Sequence, residues 1–474
     1  MGMAMALGSS FWTRALGAPV QPGESPYGEL LPPDANGLQL PAGFTSRVVA
    51  VSFTPVAGTS HVWHAFPDGG ACVPTDDGGW IYVSNSENPP PAGVPVITAL
   101  SVFVGFGGAG AIRFDADGNV VDAYPILTGS TSNCAGGLTP WGTWLSCEEW
   151  EETGAPYDAG RVWECDPFGG PAIDRPSLGR FKHEMAAVDP DHRHVYLSED
   201  QTDGLLYRYT PPPGVWGSGA ALVGGTMEAM RVGAGGTVSW LPVANVEAPA
   251  AALRTTVPGA SLFAGGEGLI YDDGYIYLTT KGDDRVWVYD LAAGTMAVLY
   301  DAADFVSPVL NGVDNIIVSA AHDLYVGEDG GNLEVCVITP DLAVFQVVRM
   351  TGPQHGAENA TPVPTISEVS GLAMSPDGNR LYFNSQRGQG TLPVGPGPGL
   401  LYEVTGPFRG GTLAATPPTP APVAPVPTPT PASSPAVPGR LPATGGPIPT
   451  AAAAAALTAG GWLWHLRNRT EPPE

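Results

Sequence analysis

Six short stretches of this chain share one plan: alternating aromatic or β-branched residues that begin after a tight turn and end on polar or acidic groups. They are Trp80–Glu87 (WIYVSNSE), Thr143–Glu149 (TWLSCEE), His194–Asp200 (HVYLSED), Tyr275–Asp284 (YIYLTTKGDD), Asp323–Asp329 (DLYVGED) and Arg380–Arg387 (RLYFNSQR). Turns of the Asp-Gly, Asp-Asp-Gly or Pro-Asp-Gly type precede several of them, and further strands such as LLYRY, RVWVYD and GLLYEV follow, which is the pattern of antiparallel hairpins laid end to end. Tyr82, Trp144, Tyr196, Tyr277, Tyr325 and Tyr382 recur at uneven intervals close to the length of a four-stranded unit. The pattern predicts an all-β chain folded as a six-bladed β-propeller over residues 31–408, with insertions and with disordered N- and C-terminal extensions. The 64 Gly and 51 Pro argue the same way, for many short strands joined by turns and against helical bundles.

In a propeller, equivalent strand ends meet at one mouth of the central channel, so the acidic ends of the six strands are expected to converge. Carboxylates packed together repel one another unless cations neutralise them, which points to a centre of several metal ions; a solvated acidic rim is the simpler alternative. With 46 acidic against 20 basic residues, the formal charge is −26. That balance excludes nucleic acid and an anionic membrane as natural partners and favours bound cations. Five cysteines, at 72, 134, 147, 165 and 336, are too few and odd in number for a disulfide framework, so at least one is expected to be free or metal-bound.

Both ends read as export and anchoring signals. Residues 4–18 form a short apolar run ending in small residues, like the later part of a secretory signal; it lacks a basic start, so a twin-arginine leader would place its Arg-Arg further upstream. Residues 1–30 are therefore taken as a signal-like arm and lead-in. Residues 409–440 hold a Pro/Ala/Thr/Val tract that favours an extended spacer of about 3.1 Å per residue. Residues 441–474 begin with Leu441, Pro442, Ala443, Thr444 and Gly445 and continue through an apolar stretch to Arg467 and Arg469. LPxTG, apolar segment and basic tail in that order match a sortase sorting signal, with sortase and peptidoglycan as partners, an extracellular, wall-anchored location and no stable membrane span in the mature chain. The apolar piece is short for a permanent span.

One stretch carries unusual chemistry. Asn133–Glu149 (NCAGGLTPWGTWLSCEE) places Cys134 beside a Gly-Gly step and leads through an aromatic strand to paired carboxylates. A soft thiolate near hard carboxylates suits a mixed metal centre, whereas a buried cysteine beside a charged strand end is the bland reading. This run, together with Gly179–Pro190 (GRFKHEMAAVDP), the NSE of Asn85–Glu87 and Ser375–Gln386 (SPDGNRLYFNSQ), resembles the PhoX-type alkaline phosphatases over most of residues 31–407. The resemblance implies a six-bladed propeller whose channel mouth holds Ca2+ and Fe3+, one iron taking a cysteine thiolate, and which hydrolyses phosphate monoesters outside the cell.

Carried over residue by residue, the resemblance makes Cys134 the iron-binding thiolate and Glu149 the carboxylate closing the same motif, with Glu148 as the alternative. Glu184 matches a bridging carboxylate. Asp200 and Asp203 are preferred to Glu199 as calcium ligands, and Asn85 and Glu87 match the N-x-E of the first blade. Glu267, Asp314 and Glu328, the last beside Asp329, complete the expected metal set. Longer family members precede the equivalent of Glu267 with an Arg-Pro pair whose arginine contacts phosphate; here Gly265-Gly266 stand instead, which makes Lys281 the natural substitute cation, with Arg180 as a second candidate. A lysine would bind phosphate as a point charge and not through a planar fork. No G-x-S-x-G elbow or G-x-x-x-x-G-K-[ST] loop is found, so a serine hydrolase or an NTPase gets no support. Two rivals stand: a phytase-like calcium propeller, which has no use for Cys134, and a non-catalytic, calcium-stabilised propeller that displays a binding surface on the wall.

Overall fold

The structure, a computed structural model, describes residues 19–88, 107–150, 159–247, 251–330, 332–352, 367–388 and 398–412. The apolar arm at residues 4–18 and the sorting signal, with Leu441, Pro442, Thr444 and Gly445, lie outside them. No α-helix occurs among the described residues, only short 3-10 turns, and none is long and apolar enough to cross a membrane.

Six antiparallel sheets make up the fold. The innermost strands, in order round the ring, are Pro67–Pro74, Asn133–Leu138, His183–Asp189, Gly266–Asp272, Val313–Val318 and Val369–Met374. Each packs against the next and the last returns to the first, closing a six-bladed propeller. The third blade carries a fifth strand, Val238–Pro242. Closure joins the two ends of the propeller: Thr45–Val51, from before the first blade, pairs as the outer strand of the last, beside Leu400–Thr405. Gln21–Pro22 and Leu38–Gln39 both pair with Ala343–Met350 on the outside of the fifth blade, so the lead-in from residue 20 packs on the propeller instead of standing apart from it.

The acid-ended strands recognised in the sequence are each the second strand of their blade, not the one lining the channel. Their recurring aromatics Tyr82, Trp144, Tyr196, Tyr277, Tyr325 and Tyr382 are all essentially buried, filling the space between blades. Tyr82 packs on Tyr382 with ring centroids 5.3 Å apart and donates its hydroxyl to the Gly371 carbonyl at 2.9 Å, so first and last blades are held by both dispersion and a hydrogen bond. The innermost strands escape recognition because they are rich in Gly and Ala and interrupted by a bulge.

Close approach of neighbouring innermost strands explains that composition. A Cβ on Gly137 would run into the Ala186 carbonyl oxygen of the next blade, and one on Gly268 would crowd the Asp314 carbonyl. Backbone on both sides leaves nothing flexible to move. Gly137→Ala should therefore lower stability by about 1–3 kcal/mol through overpacking, read as a drop in denaturation midpoint, whereas Gly142→Ala, with open space around its Cβ, tests the separate cost of its positive φ.

Candidate metal centre

A shared backbone irregularity builds the site. Where each innermost strand begins, the ladder to the second strand shifts register: between Pro67 and Gly70, Asn133 and Gly136, His183 and Ala186, Gly266 and Leu269, and Val313 and Ile316. A bulge inserts one extra residue and re-aims its side chain. The first residue inside the five shifts is Asp68, Cys134, Glu184, Glu267 and Asp314, so five blades present an acid or thiol at one level of the channel. In the sixth blade the shift falls between Ser370 and Ala373 and its first residue is Gly371. That blade contributes Glu368, from just before its innermost strand, with Gln386 and Arg387 beside it.

The residue following the second strand supplies the next set. In the antiparallel pair its N–H returns to the carbonyl ahead of the innermost strand: Glu87 to Phe66, Glu149 to Ser132, Asp200 to Lys182, Lys281 to Gly265 and Asp329 to Gly312. The residue one step earlier turns the other way, into the blade. Glu148 there accepts from the Gly160 and Arg161 amides and Trp163 Nε1, Glu199 from the Leu205 amide and the Tyr207 hydroxyl, and Glu328 from the Asn311 and Glu334 amides. These three carboxylates cap loops of their own blades.

Four overlapping groups of ligand atoms, each within 4.8 Å of one another, follow from this arrangement: Cys134 with Glu149 and Glu184; Glu184 with Glu267 and Asp314; Asp314 with Asp329 and Glu368; and Glu368 with Asp68 and Glu87. They share members and run round the mouth. Cys134 is free, and its Sγ lies 3.0 Å from Glu184 Oε1. Glu184 Oε2, on a residue 1 % exposed, has no hydrogen-bond partner among the described residues. A buried carboxylate oxygen without a donor is costly to leave unpaired, and thiolate with carboxylates is a donor set that takes both transition metals and hard cations. The residues present therefore fit a resident metal group.

Electrostatics agree. Burial, and then the neighbouring carboxylates, hold Asp68, Glu87, Glu184, Glu267 and Asp314 well above the usual carboxylate range and push the Cys134 thiol up. Three side-chain cations offset part of the charge. Lys182 Nζ lies 2.6 Å from Glu149 Oε1, Lys281 Nζ 2.6 Å from Glu267 Oε1, and Arg387 2.8 Å from Glu368 Oε2.

Of the ligands expected from the sequence, the structure brings Glu87, Cys134, Glu149, Glu184, Glu267 and Asp314 to the ring. It sets others elsewhere. Glu328 faces into its blade because strand alternation turns Asp329, not Glu328, to the channel. Asn85 is spent between blades: its amide donates to the Ala135 carbonyl at 2.7 Å and its Oδ1 accepts from Trp144 Nε1 and Ser146 Oγ, both at 2.9 Å. Asp203 is exposed and pairs with Arg254 at 2.7 Å. Asp200 reaches Lys182 at 3.5 Å and belongs to the cation-bearing side of the mouth. Arg180 donates from Nε to the Glu247 carbonyl at 3.0 Å, and Lys281 is held by carboxylates as an ion pair. Asp68 and Glu368 were missed in the sequence. Once the hairpins are aligned, the signal is visible as an acid or cysteine followed by small or apolar residues in PDGGACV, NCAGGL, HEMAAV, GEGLIY and VDNIIV.

The sequence model of the family described as Alkaline phosphatase PhoX matches residues 107–286. No curated protein matches the chain in sequence. Among solved structures, Pseudomonas fluorescens PhoX in complex with vanadate, a transition state analogue, has a TM-score of 0.63 at 17% identity, covering 81% of this chain and 99% of that one. A protein of unknown function from Bacteroides thetaiotaomicron (TM-score 0.42, 10% identity, 76% of each chain) and a calcium-binding regucalcin from Agrobacterium tumefaciens (TM-score 0.39, 13% identity, 77% of this chain and 96% of that one) are similar at a lower level.

Titration gives a test of the charge balance. Burial raises Glu148 to about 7, Glu199 to about 7 and Glu328 to about 8, above the ordinary 4.5, and the ring acids shift the same way. A raised folded-state value means that the fold holds the proton more tightly than the unfolded chain, so this stability is present below pH about 4.5 and is lost as pH rises through 7 to 8. Metal-stripped protein should show a falling melting temperature from pH 5 to 8. A flat profile in chelator would contradict the assignment.

Proposed function

We propose that this chain, whose residues 107–286 carry the sequence pattern of the PhoX alkaline phosphatases, is a metal-dependent phosphoric monoester hydrolase working at the ring of acids in the propeller mouth. The family match supports the reaction class. The observation that carries the site is Cys134 set against Glu149 and Glu184, since the matched segment brings this thiol together with carboxylates from two blades. Asp68, Glu87, Asp314, Asp329 and Glu368, outside the matched segment, extend the same ring. Calcium and ferric iron are the ions we propose for it, the thiolate favouring iron and the all-oxygen groups favouring calcium.

When bound, these ions supply the positive charge that draws in phosphoryl oxygens and offsets the charge that builds as the ester bond breaks. The chain's own residues hold and tune that charge. Cys134 must give up its proton to act as a ligand, because the neutral thiol is favoured only while no cation is near. Glu184, at the junction of two groups, ties the thiol side to the oxygen side. Lys182 and Arg387 neutralise Glu149 and Glu368 from the flank. This division of labour needs no side-chain nucleophile. The substrate class is phosphate monoesters of small molecules. A phytase-like calcium site is disfavoured by the cysteine buried in the ring, and a binding-only propeller remains the alternative that the metal and activity measurements decide against or for.

Purified full-length protein should contain iron as well as calcium, be coloured by thiolate-to-iron charge transfer and hydrolyse a phosphomonoester. Cys134→Ser should remove iron and colour and lower activity by at least about 100-fold while leaving the propeller folded. Glu199→Gln, outside the ring and bonded to the Leu205 amide and Tyr207 hydroxyl of its own blade, should keep metal content and colour and lose only stability. Calcium without iron in the parent protein, or full activity in Cys134→Ser, would sink the iron-centred reading.

Localisation rests on the sequence alone. We propose export through a twin-arginine route and sortase-catalysed attachment of Thr444 to peptidoglycan. Thr444→Ala should leave the protein extractable from walls without muralytic digestion, and a variant still linked to peptidoglycan would refute attachment at that residue.

A further inference from the structure

Six equivalent positions after the second strands face the channel, each fixed by the same return of its N–H to the carbonyl ahead of the innermost strand. Four hold carboxylates: Glu87, Glu149, Asp200 and Asp329. The sixth blade holds the neutral Gln386, whose amide donates to Glu87, and the remaining position holds Lys281. Its Nζ lies 2.6 Å from Glu267 Oε1, 3.5 Å from Asp329 Oδ2 and 3.9 Å from Asp200 Oδ2, so carboxylates from three blades surround one ammonium. Glu267, at the centre of that contact, is 2 % exposed. Exchanging a carboxylate for an ammonium at one such position alters the local charge by as much as one divalent ion carries.

We propose that Lys281 is a resident cation of the ring, occupying by covalent attachment a place that a carboxylate at position 281 would leave to a further divalent ion. The inference rests on the reading of the ring as a metal centre and adds to it a count. The acids held by Lys281 can stand ionised together in the folded state only with a cation among them, because burial makes their mutual repulsion strong. An ammonium satisfies them without an ion from solution. Arginine keeps that charge; glutamine removes it, as Gln386 does in the sixth blade; glutamate supplies the carboxylate found in four of the other five blades.

The test is ion counting on the full chain. Parent protein, Lys281→Arg, Lys281→Gln and Lys281→Glu are purified in calcium, freed of excess ions, analysed for bound metal by plasma mass spectrometry, and melted in calcium and in chelator. The Gln and Glu variants should hold about one calcium ion per chain more than the parent, and the Arg variant should match the parent. Lys281→Gln should melt several degrees below the parent in chelator and recover in calcium. Equal counts in parent, Gln and Glu variants overturn the proposal, as does a melting deficit of Lys281→Gln that is the same in calcium and chelator. A Lys281→Glu chain that cannot fold in calcium overturns it too. If the parent retains no divalent ion, the metal-centre reading falls and this inference with it; if the parent retains ions but the variants add none, only this inference falls.

Discussion

Mutual repulsion among buried acids is the constraint on which this structure depends. Asp68, Glu87, Glu149, Glu184, Glu267, Asp314, Asp329 and Glu368 stand with Cys134 round one channel mouth in overlapping groups. Hydrophobic cores between the blades, with residues such as Tyr82, Tyr382, Leu197 and Val326, must outweigh what that assembly costs. Removing acids from water disfavours their charged form, and each neighbour of like charge adds to the penalty. The fold resolves it in two ways: side chains of Lys182, Lys281 and Arg387 offset part of the charge, and the donor set fits cations for the rest.

Backbone geometry sets where the acids stand. A regular strand would alternate its side chains, and an acid beginning an innermost strand could face either the channel or the neighbouring blade. The repeated register shift selects the channel in five blades and places Gly371 at the corresponding turn of the sixth. Glycines that let innermost strands touch, such as Gly137 and Gly268, draw those side chains close enough to share a cation. The site and the tight centre of the propeller thus have one origin.

Closure of the ring matters for the same reason. Thr45–Val51 completes the sixth blade, and Tyr27 packs edge-on against Phe44 and Phe408 at 5.2 and 6.2 Å while meeting Tyr325 through its hydroxyl. Segments from before the first blade therefore tie the fifth and sixth blades together. Glu368 of the sixth blade can then stand between Asp329 of the fifth and Asp68 of the first, so the last link of the acid ring is made by chain ends far apart in sequence.

By itself the sequence determined the fold class, the six blades and the stretch around Cys134, because alternation, turn residues and a rare residue combination are local properties. The resemblance to the PhoX-type phosphatases, carried on those motifs, also implied Glu87, Glu149, Glu184, Glu267 and Asp314 as acids of one set. Tertiary structure decided that Asp329 and not Glu328 faces the channel, and supplied the physical reason why Glu149 and Asp200 do so in the other two acidic pairs. Glu148, Glu199 and Glu328 cap loops while Glu149, Asp200 and Asp329 turn inward, since a one-residue step along a strand reverses the side chain, and adjacent acids look alike until the pairing register is known. Only the fold revealed Asp68, whose glycine-rich surroundings show no alternation, and Glu368, which stands just before its strand, and only the fold placed Asn85 between blades. The pairing of Lys281 with three carboxylates was likewise beyond the sequence, because the partners come from three blades that nothing but ring closure brings together.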